Sequence, residues 1–212
     1  MIVSHLRKWL FALAALSALA SGGVRGADAP VLLVVGDSIS AGYGLAAGQG
    51  WVTLLAEKLQ AEGYRYNVVN ASLSGDTTAG GRARMAALLK THRPAVVVVE
   101  LGGNDALRGG NLGATRANLD AMVGDAQTAG AKVLIAGMQL PPNYGPAYVN
   151  EFNGLFGAVA RSRKAALVPH VFEGFGEELA QFQGDRIHPT AAAQSKILAN
   201  IWPTLAPLLR KG

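Results

Sequence analysis

The run Ala95–Leu101, "AVVVVEL", constrains this chain more than any other stretch. It is β-branched and almost wholly apolar. A strand with one face in water alternates apolar and polar residues, whereas a strand covered on both faces reads as a continuous apolar run. Ala95–Leu101 therefore predicts an inner strand with a packed layer on each side. Val31–Val35, Tyr66–Asn70 and Lys132–Gly137 predict further strands, and Ala166–Pro169 a weaker fifth. Between them, helical spacing of apolar residues predicts Trp51–Glu62, Thr77–Thr91, Thr115–Gly130, Ala147–Lys164 and Thr190–Leu209 as helices. Asp76 is the expected N-cap of the second, and Pro189 sits where the last begins, a position proline tolerates.

Strand–helix alternation at this spacing means βαβ units joined by right-handed crossovers. The expected fold is α/β: a three-layer α/β/α sandwich around a five-stranded parallel sheet of flavodoxin-like order. With 212 residues, 50% of them hydrophobic, the chain can bury a full core. Neither repeat nor linker interrupts it, so residues 27–212 are expected to form one domain. The first 26 residues read differently: Arg7 and Lys8 precede the apolar stretch Trp9–Ala20, and small residues follow. That is the pattern of a secretory signal peptide, too short to span a bilayer comfortably, with cleavage expected after Gly26 or Ala20. The alternative is an uncleaved anchor.

The formal charge of +5 includes Arg7, Lys8 and Arg25 from that segment, which holds no acid; the remaining 16 basic and 14 acidic side chains leave +2. So small an excess, without a basic run, excludes an argument for nucleic acid. With no cysteine there is neither a disulfide nor a thiolate metal site. The mature protein is expected to be exported, to periplasm or medium, without stable membrane insertion once the signal is removed, and monomeric.

In parallel sheets of this kind ligands bind beyond the carboxyl ends of the strands. Four polar clusters stand there: "GDSIS" with Ser38, "NASLSGDT" with Gly75, "LGGND" with Asn104, and "DRIHP" with Asp185 and His188. A serine hydroxyl needs a base to become a nucleophile, and His188 can serve. Asp185, three residues earlier, can reach back to hold the other imidazole nitrogen as a donor. Attack on an acyl carbonyl creates an oxyanion, for which Gly75 and Ser38 offer backbone N–H groups and Asn104 its amide. Each residue alone reads as an ordinary turn or cap; their joint occurrence on one rim does not.

These blocks resemble those of the GDSL (SGNH) hydrolases, and the match runs from Val31 to the last helix. More narrowly, "GDSISAGYG", "NASLSGDTTAGG", "VVVELGGNDALRG", "LPPNYG" and "DRIHPTAAAQ" resemble secreted bacterial esterases that act as acyl-CoA thioesterases, lysophospholipases and arylesterases. The resemblance implies a Ser38–His188–Asp185 triad, an oxyanion hole of Ser38, Gly75 and Asn104, and catalysis without metal or organic cofactor. The expected partner is a small acyl ester or thioester. Segments Ala106–Leu112 and Gly137–Tyr148 are expected to line the acyl site, with Leu107 and Leu140 as apolar surface and Asn143 and Tyr144 as polar edges. Glycines 109, 110 and 113 allow the first of these to move.

Asp37 and Asp105, flanking two candidates, are expected to organise backbone, and His92 and His170 to lie outside the site. "GYGLAAGQG" matches neither dinucleotide nor phosphate-loop spacing and reads as loop. Two other substrates or roles stay open: acetylated sugars with the same triad, or a non-catalytic lipid-binding module. A flavin carrier is disfavoured, because no phosphate-cradling loop follows the first strand.

Overall fold

The computed structural model describes residues 29–211; the expected signal segment and its cleavage points lie outside the described residues. Five strands alternate with helices: β1 (Val31–Gly36), α1 (Ser38–Ala41), α2 (Trp51–Ala61), β2 (Asn67–Asn70), α3 (Thr78–His92), β3 (Val96–Glu100), α4 (Gly103–Leu107), α5 (Leu112–Thr128), β4 (Lys132–Ala136), α6 (Pro146–Arg163), β5 (Ala166–Val168) and α7 (Gln194–Leu205). All pairings are parallel, in the order β2-β1-β3-β4-β5. The order in which strands are added reverses between β1 and β3, and the expected α/β sandwich is the observed one.

β3 is buried along its whole length, as its continuous apolar run requires, and β1 and β4 nearly so. α2 carries the sheet leftward from β1 to β2, whereas α3, α5 and α6 carry it rightward. Right-handed crossovers therefore set α2 on one face and the other three on the opposite face. α7 packs on α2, and α5 packs between α3 and α6. Each helix turns a 3.6-residue stripe inward: Trp51, Val52, Leu55 and Leu59 on α2, and Ile197, Leu198, Ile201 and Leu205 on α7. Among the described residues no helix is long and apolar enough to cross a membrane.

The structure corrects several boundaries. α5 begins at Leu112, three residues before the expected Thr115, because the Asn111 side chain caps it by accepting the Ala114 N–H at 2.9 Å. Thr77, not Asp76, caps α3: its hydroxyl accepts the Gly80 N–H, while Asp76 is occupied with Arg84. Pro189 does not open the last helix; it bridges Phe182, and a 3-10 turn at Ala191–Ala193 precedes α7. Two single-turn helices, α1 and α4, occupy segments whose sequence reads as loop.

Candidate active site

β1 ends at Gly36, and the chain turns at once into α1. Asp37 makes that turn by accepting the Ile39 N–H on Oδ1 at 3.0 Å, an N-cap that leaves Ser38 as the first helical residue. Gly36 is required beneath it. A Cβ there would fall 2.7 Å from both the Cβ and Oγ of Ser40 and 2.8 Å from Glu100 Oε2. Asn70, at the end of β2, steadies the same turn by donating to the Ser40 carbonyl at 2.8 Å.

His188, 150 residues along the chain, meets this turn. Its Nε2 lies 2.8 Å from Ser38 Oγ, and its Nδ1 lies 2.7 Å from Asp185 Oδ2. Asp185 Oδ1 accepts the N–H groups of Ile187 and His188 at 2.9 and 3.0 Å, so one carboxylate shapes its own loop and holds the ring. The His188 N–H, then the His188 ring and the Ile187 N–H, hold the Asp185 carboxyl at about 2, well below the ordinary carboxylate value. The imidazole rests against the Tyr43 ring, centroids 4.5 Å apart. Gln183 fastens the two loops together: its N–H donates to the His188 carbonyl and its side-chain amide to the Tyr43 carbonyl, both at 2.8 Å.

Gly75 has φ +80°, a left-handed conformation that favours glycine. Its carbonyl accepts from Arg108 Nη2 at 3.1 Å. Its loop is held beside the end of β1 by Leu73, which donates its N–H to the Gly36 carbonyl at 3.0 Å, and to α3 by Arg84, which reaches Asp76 and the Ala71 carbonyl. Among the described residues, the N–H groups of Ser38 and Gly75 have no hydrogen-bond partner. Asn104, in the single turn α4, donates its amide to Asp37 Oδ2 at 3.1 Å.

Asp105 organises backbone as its sequence position suggests. It accepts from the Thr78 N–H and hydroxyl, at 2.9 and 2.5 Å, and so ties α4 to the start of α3. His170 packs edge-on against Phe172, its Nδ1 has no hydrogen-bond partner among the described residues, and burial pulls its pKa below the ordinary histidine value.

The side chains of the four residues expected to line an acyl site take no part in the cluster's hydrogen bonds. Leu107 is half-buried and packs against the core, and Leu140 is buried. Asn143 is exposed and Tyr144 half-buried on the 3-10 turn Pro142–Tyr144. The Tyr148 hydroxyl donates to the Gly110 carbonyl at 2.8 Å, fastening the glycine-bearing loop to α6.

Glu100 is the residue that sequence reasoning passed over, although it is the single charged side chain in "VVVVEL". It is fully buried, accepts from Ser40 Oγ at 2.6 Å, and has no partner for Oε1 among the described residues. Burial, and then the Asp37 charge, push its carboxyl well above the ordinary range, so it is held neutral beneath the Ser38 turn. In the unfolded chain it ionises. Folding must therefore take up a proton, and stability falls as pH rises beyond the ordinary carboxylate range. Glu100→Gln removes this proton, so its melting temperature relative to wild type is expected to be higher at pH 8 than at pH 5. Thermal unfolding at the two pH values checks it; a constant difference contradicts a neutral Glu100.

A hydroxyl in line with an imidazole and a carboxylate, beside free N–H donors, can attack a carbonyl and hold the resulting oxyanion. Comparison with known proteins identifies the family. Residues 34–196 match the model of the GDSL-like Lipase/Acylhydrolase family. The chain is 57% identical over 183 residues to Esterase TesA of Pseudomonas aeruginosa, covering 86% of this chain and 91% of that protein. It is 40% identical over 185 residues to Thioesterase 1/protease 1/lysophospholipase L1 of Escherichia coli, covering 87% and 88%. The crystal structure of TesA superposes with a TM-score of 0.83 at 57% identity, over 84% of this chain and 99% of that one. On fold, rim and sequence together, the chain belongs to the GDSL-like lipase/acylhydrolase family and is an enzyme of that family.

Proposed function

We propose that the protein hydrolyses carboxylic esters and thioesters through an acyl-enzyme, with Ser38 as nucleophile, His188 as general base and then acid, and Asp185 as its orienter. The reading rests on one observation above all, the continuous chain Ser38 Oγ–His188–Asp185 at 2.8 and 2.7 Å. His188 Nε2 takes the hydroxyl proton as Ser38 Oγ bonds to the carbonyl carbon. The N–H groups of Ser38 and Gly75 and the Asn104 amide receive the oxyanion. The carbonyl re-forms as the bond to the leaving alcohol or thiol breaks, and His188 gives that group its proton. Water, deprotonated by His188, then attacks the acyl-serine, and Ser38 regains its proton as the carboxylic acid leaves.

Aryl and short-to-medium acyl esters, acyl-CoA and lysophospholipids are the proposed substrates. The names of the relatives, an esterase and a thioesterase/lysophospholipase, support that range. Leu107, Leu140, Asn143 and Tyr144 are proposed to border the acyl group. Export is also proposed: Met1–Gly26 acts as a cleaved signal, and the mature protein works in the periplasm or medium.

A substrate panel tests the proposal: p-nitrophenyl esters from acetyl to longer chains, an acyl-CoA, a lysophospholipid and an acetylated xylooligosaccharide. Turnover of esters and thioester alike, maintained at hexanoyl and longer, is expected. Strong preference for the acetylated sugar overturns the substrate class, and no turnover with any acyl substrate overturns the hydrolase reading.

A further inference from the structure

Asp37 joins two of the proposed oxyanion donors through a single carboxylate. Its Oδ1 accepts the Ile39 N–H at 3.0 Å, and so sets the turn that carries the Ser38 hydroxyl and N–H. Its Oδ2 accepts Asn104 Nδ2 at 3.1 Å. Asp37 is only 2% exposed, too little for water to stand in for either contact. An asparagine amide has two ends of nearly equal shape, one a donor and one an acceptor. A carboxylate has lone pairs alone, so it admits the NH₂ end and rejects the oxygen. One N–H of Asn104 is thereby committed to Asp37, and the other is left to donate elsewhere. With the amide turned over, a carbonyl oxygen would stand where that second N–H stood, and it would repel an oxyanion rather than hold it.

We propose that Asp37 is the positioning residue of the oxyanion hole: its carboxylate selects the donor face of Asn104 and fixes it relative to the Ser38 turn. This rests on the reading of Asn104 as an oxyanion donor. Asp37 touches no reacting atom and acts through its neighbour. Burial raises its carboxyl to about 6, with Ile39, Asn104 and the charge of His188 opposing the rise and that of Asp76 adding to it. At pH 8 it is a carboxylate.

A double-mutant cycle at pH 8 on a soluble p-nitrophenyl ester tests the proposal. Asn104→Ala is expected to lower kcat by about 10²–10³, the usual effect of losing one such donor. Asp37→Asn keeps an oxygen for the Ile39 N–H, but it faces Asn104 with an NH₂ group and turns that amide over. It is expected to cost a similar factor in kcat, with KM changed by less than about threefold. The cycle isolates the coupling. The double variant Asp37→Asn, Asn104→Ala is expected to fall no more than about threefold below Asn104→Ala alone. Asp37→Ser, which retains a capping oxygen and presents no amide to Asn104, is expected to recover at least tenfold over Asp37→Asn. It also completes the same cycle should Asp37→Asn fail to fold.

Equal losses with and without Asn104 would overturn the proposal, since Asp37 would then serve the Ser38 turn alone. An Asn104→Ala protein within a few-fold of wild type would overturn the oxyanion reading, and the role of Asp37 with it.

Discussion

His188→Ala is expected to lower kcat for ester hydrolysis by on the order of 10⁶-fold, and Ser38→Ala to lower it by about the same factor. Either change breaks the chain at its centre. Without the imidazole no group lies 2.8 Å from Ser38 Oγ to take its proton, and without the hydroxyl the imidazole has no nucleophile to activate. The two therefore act as one unit, and the double variant is expected to be no slower than either single one. What remains in each, about 10³–10⁴ over water, is the contribution of the oxyanion donors and of substrate binding. Single-turnover and steady-state kinetics on the three variants check this. Losses that multiply in the double variant contradict a shared proton path.

The second large effect is expected at Asp185. Asp185→Asn should lower kcat by about 10⁴ while leaving the fold intact. The reason lies in the division of labour between the two oxygens. Oδ1 accepts the Ile187 and His188 N–H groups and shapes the loop, which an asparagine oxygen also does. Oδ2 faces His188 Nδ1 at 2.7 Å, and an amide placed there with its oxygen on the backbone side presents NH₂ to the ring. Nδ1 must then accept, the proton moves to Nε2, and Nε2 can no longer take the proton of Ser38. Asp185→Ala removes both contacts and is expected to lower melting temperature as well as kcat. A loss of activity in Asp185→Asn matched by an equal loss of folding stability would contradict this assignment.

The inner strands and the residues at their ends were legible because burial on both faces leaves a continuous apolar run, and parallel strands bring successive rim loops together. "VVVVE" and "VLLVVG" each become a strand within one residue of their expected bounds. The turns that carry the proposed site residues were not legible. α1 and α4 have four and five residues, too few for any apolar period to emerge, yet Ser38 opens one and Asn104 lies in the other. The first is capped by Asp37, and the second, without a side-chain cap, is tied through Asp105 to Thr78 on α3, a contact that no local pattern encodes. At Asp76 and Thr77 two adjacent residues could each cap α3. The choice fell to Thr77 because Arg84, eight residues beyond Asp76 on α3, engages the aspartate. Glu100 shows the converse failure. A lone acid inside an apolar strand is itself a signal, since a buried carboxyl persists only when neutral or partnered. Its partner Ser40 was in plain view in "GDSIS".

The proposed acyl-enzyme requires that Ser38 become covalently bonded to the acyl group. Treating the wild-type protein with a fluorophosphonate, which phosphonylates an activated serine, and mapping the adduct by peptide mass spectrometry reads this directly. One adduct on the peptide containing Ser38, formed in step with loss of esterase activity and absent in His188→Ala, is the predicted result. Full inhibition with the adduct on another residue, or esterase activity that persists once Ser38 is fully modified, would contradict it.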